Sequence, residues 1–228
     1  MGSARGRVTN ARSTGKIAAC ARSKMNECPR MRKFLIPSLV LGFAALAFAA
    51  PEVGQSAPGF MLKDAAGKEH RLADFKGKTV VLEWVNYGCP FVKKHYGSKT
   101  MQALQKEAVE KGVVWLAICS SAPGKQGNET PDAGKTKSAE VGSAATAYLV
   151  DADGVVGKLY DARTTPEMFV INPAGTLVYQ GAIDDNNSPD PAVIAASKNF
   201  VKAALDETLA GKPVSNPSTK SYGCSVKY

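Results

Sequence analysis

The chain has 228 residues, 44% of them hydrophobic, and a formal charge of +9. That length suits one sizeable domain with room for extra segments. The charge is lopsided: residues 1–49 hold nine Lys/Arg and one acid, Glu27, so the remaining residues carry 9 − 8 = +1. A near-neutral body excludes nucleic acid as the partner that the overall charge suggests.

Residues 1–30 are rich in Arg, Ser and Ala, show no periodicity, and read as a mis-called or non-native extension. Residues 31–49 have the three parts of a secretory signal peptide. Met31-Arg32-Lys33 is basic, Phe34–Phe48 is apolar except at Pro37, Ser38 and Gly42, and Ala47-Phe48-Ala49 is a small-x-small cleavage site. The apolar run is shorter than the roughly 20 residues a membrane-spanning helix needs; an uncleaved anchor is the alternative reading. No cysteine follows the cleavage site, so no lipid anchor is expected. A mature chain of residues 50–228 is therefore expected in the periplasm or secreted, without a stable membrane anchor. It keeps Cys89, Cys119 and Cys224 and loses Cys20 and Cys28. An oxidising compartment lets disulfides persist, and three cysteines allow at most one internal bridge.

The mature chain reads in order as follows. Phe60–Leu62 and Glu69–Arg71 flank a turn and suggest a hairpin. Thr79–Val85 is nearly continuous apolar and β-branched, which suits a strand buried on both faces. A helix follows over Cys89–Lys111, with a kink expected at Gly97-Ser98 and Ser98 able to cap the second segment. Val113–Cys119 is a second buried strand. A short helix is expected near Lys135–Gly142, a strand at Tyr148–Val150 and a helix at Val155–Tyr160. Glu167–Ile171 and Thr176–Tyr179 flank Asn172-Pro-Ala-Gly175 and form a hairpin. Ala192–Ala210 is one last helix, stopped by Gly211. From about 212 the tail has no periodicity. Alternating strands and helices give an α/β fold: a central mixed sheet flanked by helices, in one domain over 50–228.

Chemistry concentrates at Cys89. A buried strand ends, a tight turn follows, and the cysteine opens a helix with Pro90 behind it. Unpaired N–H groups and a partial positive charge at a helix start favour thiolate over thiol. Lys93, one turn on, adds charge on the same side. Glu83 interrupts the apolar strand six residues earlier. If buried it has a raised pKa and can exchange protons with the thiol; if partly exposed it pairs with a lysine. Cys224, in the irregular tail, is the candidate resolving thiol. Cys119 is the alternative, or a core cysteine. Arg163, just before Thr164-Thr165-Pro166, is a candidate thiolate stabiliser or a solvated arginine. His95 is expected to be solvated.

Four segments carry a resemblance: Asn86-Tyr-Gly-Cys-Pro-Phe-Val-Lys-Lys-His-Tyr96, Thr165-Pro-Glu-Met-Phe-Val170, Gly181-Ala-Ile-Asp-Asp185 and Gly223-Cys-Ser-Val-Lys227. In this order they resemble the redoxins of the peroxiredoxin-like branch (alkyl hydroperoxide reductase and thiol-specific antioxidant) of the thioredoxin-like superfamily. The resemblance implies a thioredoxin-like fold, a cis Pro166 packed against Cys89, and a thiol peroxidase or thiol-disulfide oxidoreductase. It also implies a peroxide or disulfide substrate, a thioredoxin-like reductant and no cofactor. Two departures stand out. Val92 replaces the second cysteine of Cys-x-x-Cys, and Asn86 stands where typical peroxiredoxins carry a threonine. The expected activity is an exported, peroxiredoxin-like antioxidant oxidoreductase. The alternatives are thiol-disulfide exchange with protein partners, or a copper carrier using Cys89 with Cys224 or His95.

Overall fold

A computed structural model describes residues 50–228; the readings of 1–30 and 31–49 lie outside the described residues. The strands are β1 (Met61–Asp64), β2 (Glu69–Arg71), β3 (Val80–Trp84), β4 (Val114–Cys119), β5 (Ala147–Val150), β6 (Thr164–Thr165), β7 (Glu167–Ile171), β8 (Leu177–Gly181) and β9 (Cys224–Ser225). The helices are α1 (Pro90–Gly97), α2 (Thr100–Glu110), α3 (Pro131–Glu140), α4 (Val155–Leu159) and α5 (Phe200–Leu209).

Period-two alternation divides the core in two. Val81, Val85, Trp115, Ala117, Met168 and Val170 face one way, onto Val92, Tyr96, Met101, Leu104, Val201 and Leu205 of α1, α2 and α5. Val80, Leu82, Trp84, Leu116, Ile118 and Phe169 face the other, onto Phe60, Val156 and Tyr160. Covering on both faces explains the unbroken apolar runs of β3 and β4. The seven-stranded sheet has the order β2-β1-β5-β4-β3-β7-β8. β3, β4 and β5 are parallel; β1, β2, β7 and β8 join antiparallel. This is the expected mixed α/β sheet.

Three elements depart from the sequence reading. The kink is a full break: Lys99, at the position before α2, takes a left-handed φ of 66° and makes no side-chain cap bond. Ser98 does not cap; its hydroxyl bonds the His95 carbonyl at 3.1 Å and the Thr100 hydroxyl at 3.0 Å. The last helix is divided. A 3-10 turn over Pro191–Ala196 ends at extended Ser197, and α5 restarts where the Asn199 side chain accepts the Lys202 N–H at 2.8 Å. The tail is not structureless either: β9 pairs antiparallel with β6, Thr165 opposite Cys224.

Candidate active site

Cys89 lies where β3 hands over to α1. The Asn86 carbonyl accepts the Cys89 N–H at 2.9 Å, and the Asn86 side chain accepts the Gly88 N–H at 2.9 Å. This closes the turn and sets Cys89 as the residue before the helix, with Pro90 in the first position, where a missing N–H costs nothing. The sulfur is fully buried. Its thiol donates to the Thr165 carbonyl at 3.1 Å, and the Thr165–Pro166 bond is cis.

The tail completes the site. Gly223 turns at φ +136°, where a Cβ would fall 2.2 Å from the Thr165 carbonyl oxygen. Only glycine lets the chain run this close. Cys224 then pairs with Thr165, the residue whose carbonyl accepts the Cys89 thiol, so the tail brings the second cysteine beside the first. Both cysteines are free thiols. Burial pushes the Cys89 pKa up, but the Cys224 thiol, the Thr165 side chain and the Val92 backbone N–H favour the thiolate, and the net shift is downward. Cys224 moves the other way, to about 11, through burial and the bond to Cys89. The pair is asymmetric: Cys89 gives up its proton first.

Glu83 is buried, so the partly exposed, lysine-paired alternative is excluded. Its carboxylate accepts from Trp115 Nε1 at 2.8 Å, Gln105 Nε2 at 2.9 Å and the Tyr96 hydroxyl at 3.0 Å. Burial raises its pKa to about 7 against the pull of those donors. It shares the core face of the Cys89 cluster without bonding the sulfur.

Other candidates fall outside. Cys119 is buried and bonds the Gly127 carbonyl at 3.2 Å and the Ser121 hydroxyl at 3.6 Å, facing the loop after β4 rather than Cys89. The Arg163 guanidinium lies exposed on Asp161, Nε to Oδ2 3.0 Å, so it does not stabilise the thiolate. Lys93 is exposed; its neighbour Lys94 is the buried cation. His95 is 2% exposed, not solvated. Its Nε2 lies 3.7 Å from Asp184 and 3.5 Å from the Tyr222 hydroxyl, and its Nδ1 is 3.5 Å from the Thr100 hydroxyl. Burial lowers its pKa to about 4. Both ring nitrogens are engaged away from Cys89, which weakens the copper-carrier alternative. Among the described residues no group of three or more His, Cys, Asp or Glu could hold a metal. Sequence reasoning missed Lys94, Asp184 and Tyr222, although the first two fall inside the segments that carry the resemblance and Tyr222 directly precedes the fourth.

Residues 53–180 match the AhpC/TSA family. The chain belongs to that family. Among its curated relatives, the thiol-disulfide oxidoreductase ResA of Geobacillus thermodenitrificans is 30% identical over 130 residues, 52% of this chain and 74% of that protein. ResA of Bacillus subtilis is 30% identical over 131 residues, 55% of this chain and 64% of that protein. The AhpC/TSA chain is an oxidoreductase. Two solved structures cover more of it. An uncharacterized conserved protein of Geobacillus kaustophilus aligns with a TM-score of 0.66 at 31% identity over 78% of this chain and 92% of that one. A hypothetical protein of Sinorhizobium meliloti aligns with a TM-score of 0.67 at 27% identity over 79% and 96%. The thioredoxin-like fold is thereby established. The AhpC/TSA match stops at residue 180, so Cys224 and its strand lie beyond it.

Proposed function

We propose that the protein is a thiol-disulfide oxidoreductase whose redox couple is Cys89 and Cys224. The observation that carries this reading is that two free cysteines meet at Thr165: its carbonyl accepts the thiol of Cys89, at the start of α1, at 3.1 Å, and its strand position lies opposite Cys224 on β9. The Cys89 thiolate attacks one sulfur of a partner disulfide. That S–S bond breaks, a mixed disulfide forms, and the departing partner thiolate takes a proton. Cys224 gives up its proton, attacks Cys89 of the mixed disulfide and releases the second partner thiol. The partner disulfide has gained two electrons, and Cys89–Cys224 has lost them. A thioredoxin-like dithiol reverses the sequence. Glu83, titrating near pH 7 in the same core, takes the role of proton exchange. The composition of residues 31–49 supports an extracytoplasmic setting.

Peroxide is the second reading, favoured by the family match. Asn86 argues against it. Its amide closes the active-site turn and donates to the Gln126 carbonyl at 3.0 Å, where a peroxide-binding hydroxyl is missing.

The deciding experiment incubates the reduced protein with insulin or hydrogen peroxide in parallel, then maps alkylated peptides by mass. The expected result is a fast Cys89–Cys224 bridge with insulin, no reaction in Cys89→Ser, and a stalled mixed disulfide in Cys224→Ser. A bridge or sulfenic acid forming faster with peroxide transfers the assignment to the peroxidase reading. Failure of Cys89 to pair with Cys224 under either oxidant removes the couple.

A further inference from the structure

Asp184, in the connection between β8 and α5, is 3% exposed and gathers four groups. One carboxylate oxygen lies 3.1 Å from Lys94 Nζ and 3.7 Å from His95 Nε2. The other takes the Asn186 N–H at 3.1 Å and the Tyr222 hydroxyl. Lys94 also donates to the Asn186 carbonyl at 2.8 Å. Fully buried lysines are rare and need a partner. None of these side chains takes part in the exchange chemistry, so their burial calls for another reason.

Their positions supply one. Lys94 and His95 belong to α1, the helix that begins at Cys89. Tyr222 belongs to the tail, two residues before Cys224. Its ring packs on Phe91 of α1, centroids 5.7 Å apart, and lies 5.5 Å beneath the Lys94 ammonium. Between Tyr222 and Cys224 stands only Gly223, whose backbone is pressed against Thr165. The segment has no slack, so the place of Tyr222 sets the place of Cys224.

We propose that Tyr222 is a positioning residue. Its hydroxyl, latched onto Asp184, holds the tail against α1 so that the Cys224 thiol covers the Cys89 sulfur. The inference rests on Cys89 and Cys224 being the redox couple. A latched tail raises the effective concentration of one thiol at the other, and it shields Cys89 from other reagents until it lifts.

Tyr222→Phe tests this by removing the hydroxyl and keeping the ring. Two quantities are read. In a glutathione redox buffer, the equilibrium constant for closing Cys89–Cys224 is expected to fall about tenfold, a rise of about 30 mV in potential. In the fully reduced protein, peptide-resolved alkylation of Cys89 by a maleimide is expected to speed up by about the same factor. Tyr222→Leu, which removes the ring too, is expected to move both further. Tyr228→Phe is the comparison: it removes a bond from the other end of the tail, to the Ala162 carbonyl at 2.7 Å. Wild-type values in both Tyr222 variants, or equal shifts in Tyr228→Phe, would overturn the latch. The alkylation arm needs no redox turnover. If the wild type never closes the bridge but Tyr222→Phe still exposes Cys89, the latch stands and the couple falls.

Discussion

Two cysteines in contact hold their protons differently because their surroundings differ. Cys89 has donors on several sides: the Cys224 thiol and N–H, Thr165, and the Val92 N–H of the first helical turn. Cys224 faces a neighbour that becomes negative. The attacking and resolving roles proposed for them follow from this difference. Glu83 is the third titrating residue. Burial holds its proton more tightly in the folded chain than in the unfolded one, where the ordinary value is 4.5. Its favourable contribution is therefore complete below that value and is lost as pH rises through about 7. The wild-type protein is expected to lose up to about 3 kcal/mol of unfolding free energy from this group between about pH 5 and about pH 8. In Glu83→Gln that component disappears and the stability profile flattens. Urea unfolding at a series of pH values measures it; an unchanged slope in the variant would remove Glu83 as the titrating group. The pH profile of insulin reduction should flatten with it if Glu83 exchanges protons during turnover.

At the scale of elements, the sequence was informative wherever period and burial coincide. β3 and β4 were legible because each face of the sheet has its own apolar partner, so every position is apolar apart from Glu83. The elements that depart are those decided by single residues. Lys99 accepts a left-handed backbone to restart a helix, and Asn199 caps one that apolar periodicity had joined to the preceding turn. β9 is two residues long and has no pattern of its own; it exists because β6 offers an unpaired edge and Gly223 allows the approach. Gly223→Ala tests that dependence. The added Cβ would meet the Thr165 carbonyl oxygen at 2.2 Å from a backbone that L residues disfavour. The expected outcome is release of residues 223–228 at a cost of about 1–3 kcal/mol in urea unfolding, with hydrogen exchange at Val226 rising. Protection at Val226 equal to wild type would mean that the strand tolerates the substitution.

At the scale of the molecule, the four segments that carried the family resemblance meet in one place. Residues 86–96 supply Cys89, Lys94 and His95; 165–170 supply the cis-proline turn; 181–185 supply Asp184; and 223–227 supply Cys224. Their chemistry could be read from spacing only at Cys89, where a strand, a turn and a helix start are local. The contact of Cys224 with Cys89 spans 224 − 89 = 135 positions, and no pattern within the tail announces it. That separation has a thermodynamic consequence. A bridge between the two would close a loop of more than 100 residues and remove about 5 kcal/mol of chain entropy from the unfolded state in the simplest treatment. The reduced site already holds both cysteines against Thr165, so closing the bridge needs little rearrangement of the folded chain. Oxidised protein is therefore expected to be more stable than reduced protein by about 2–4 kcal/mol in urea, and Cys224→Ser is expected to lose the difference. Linkage then makes the bridge correspondingly harder to reduce in the folded protein than in the unfolded chain, so the couple draws electrons from partners less readily than a free dithiol pair would. Equal stability of the two redox forms would show that strain in the closed site cancels the entropy, and would predict a more oxidising couple.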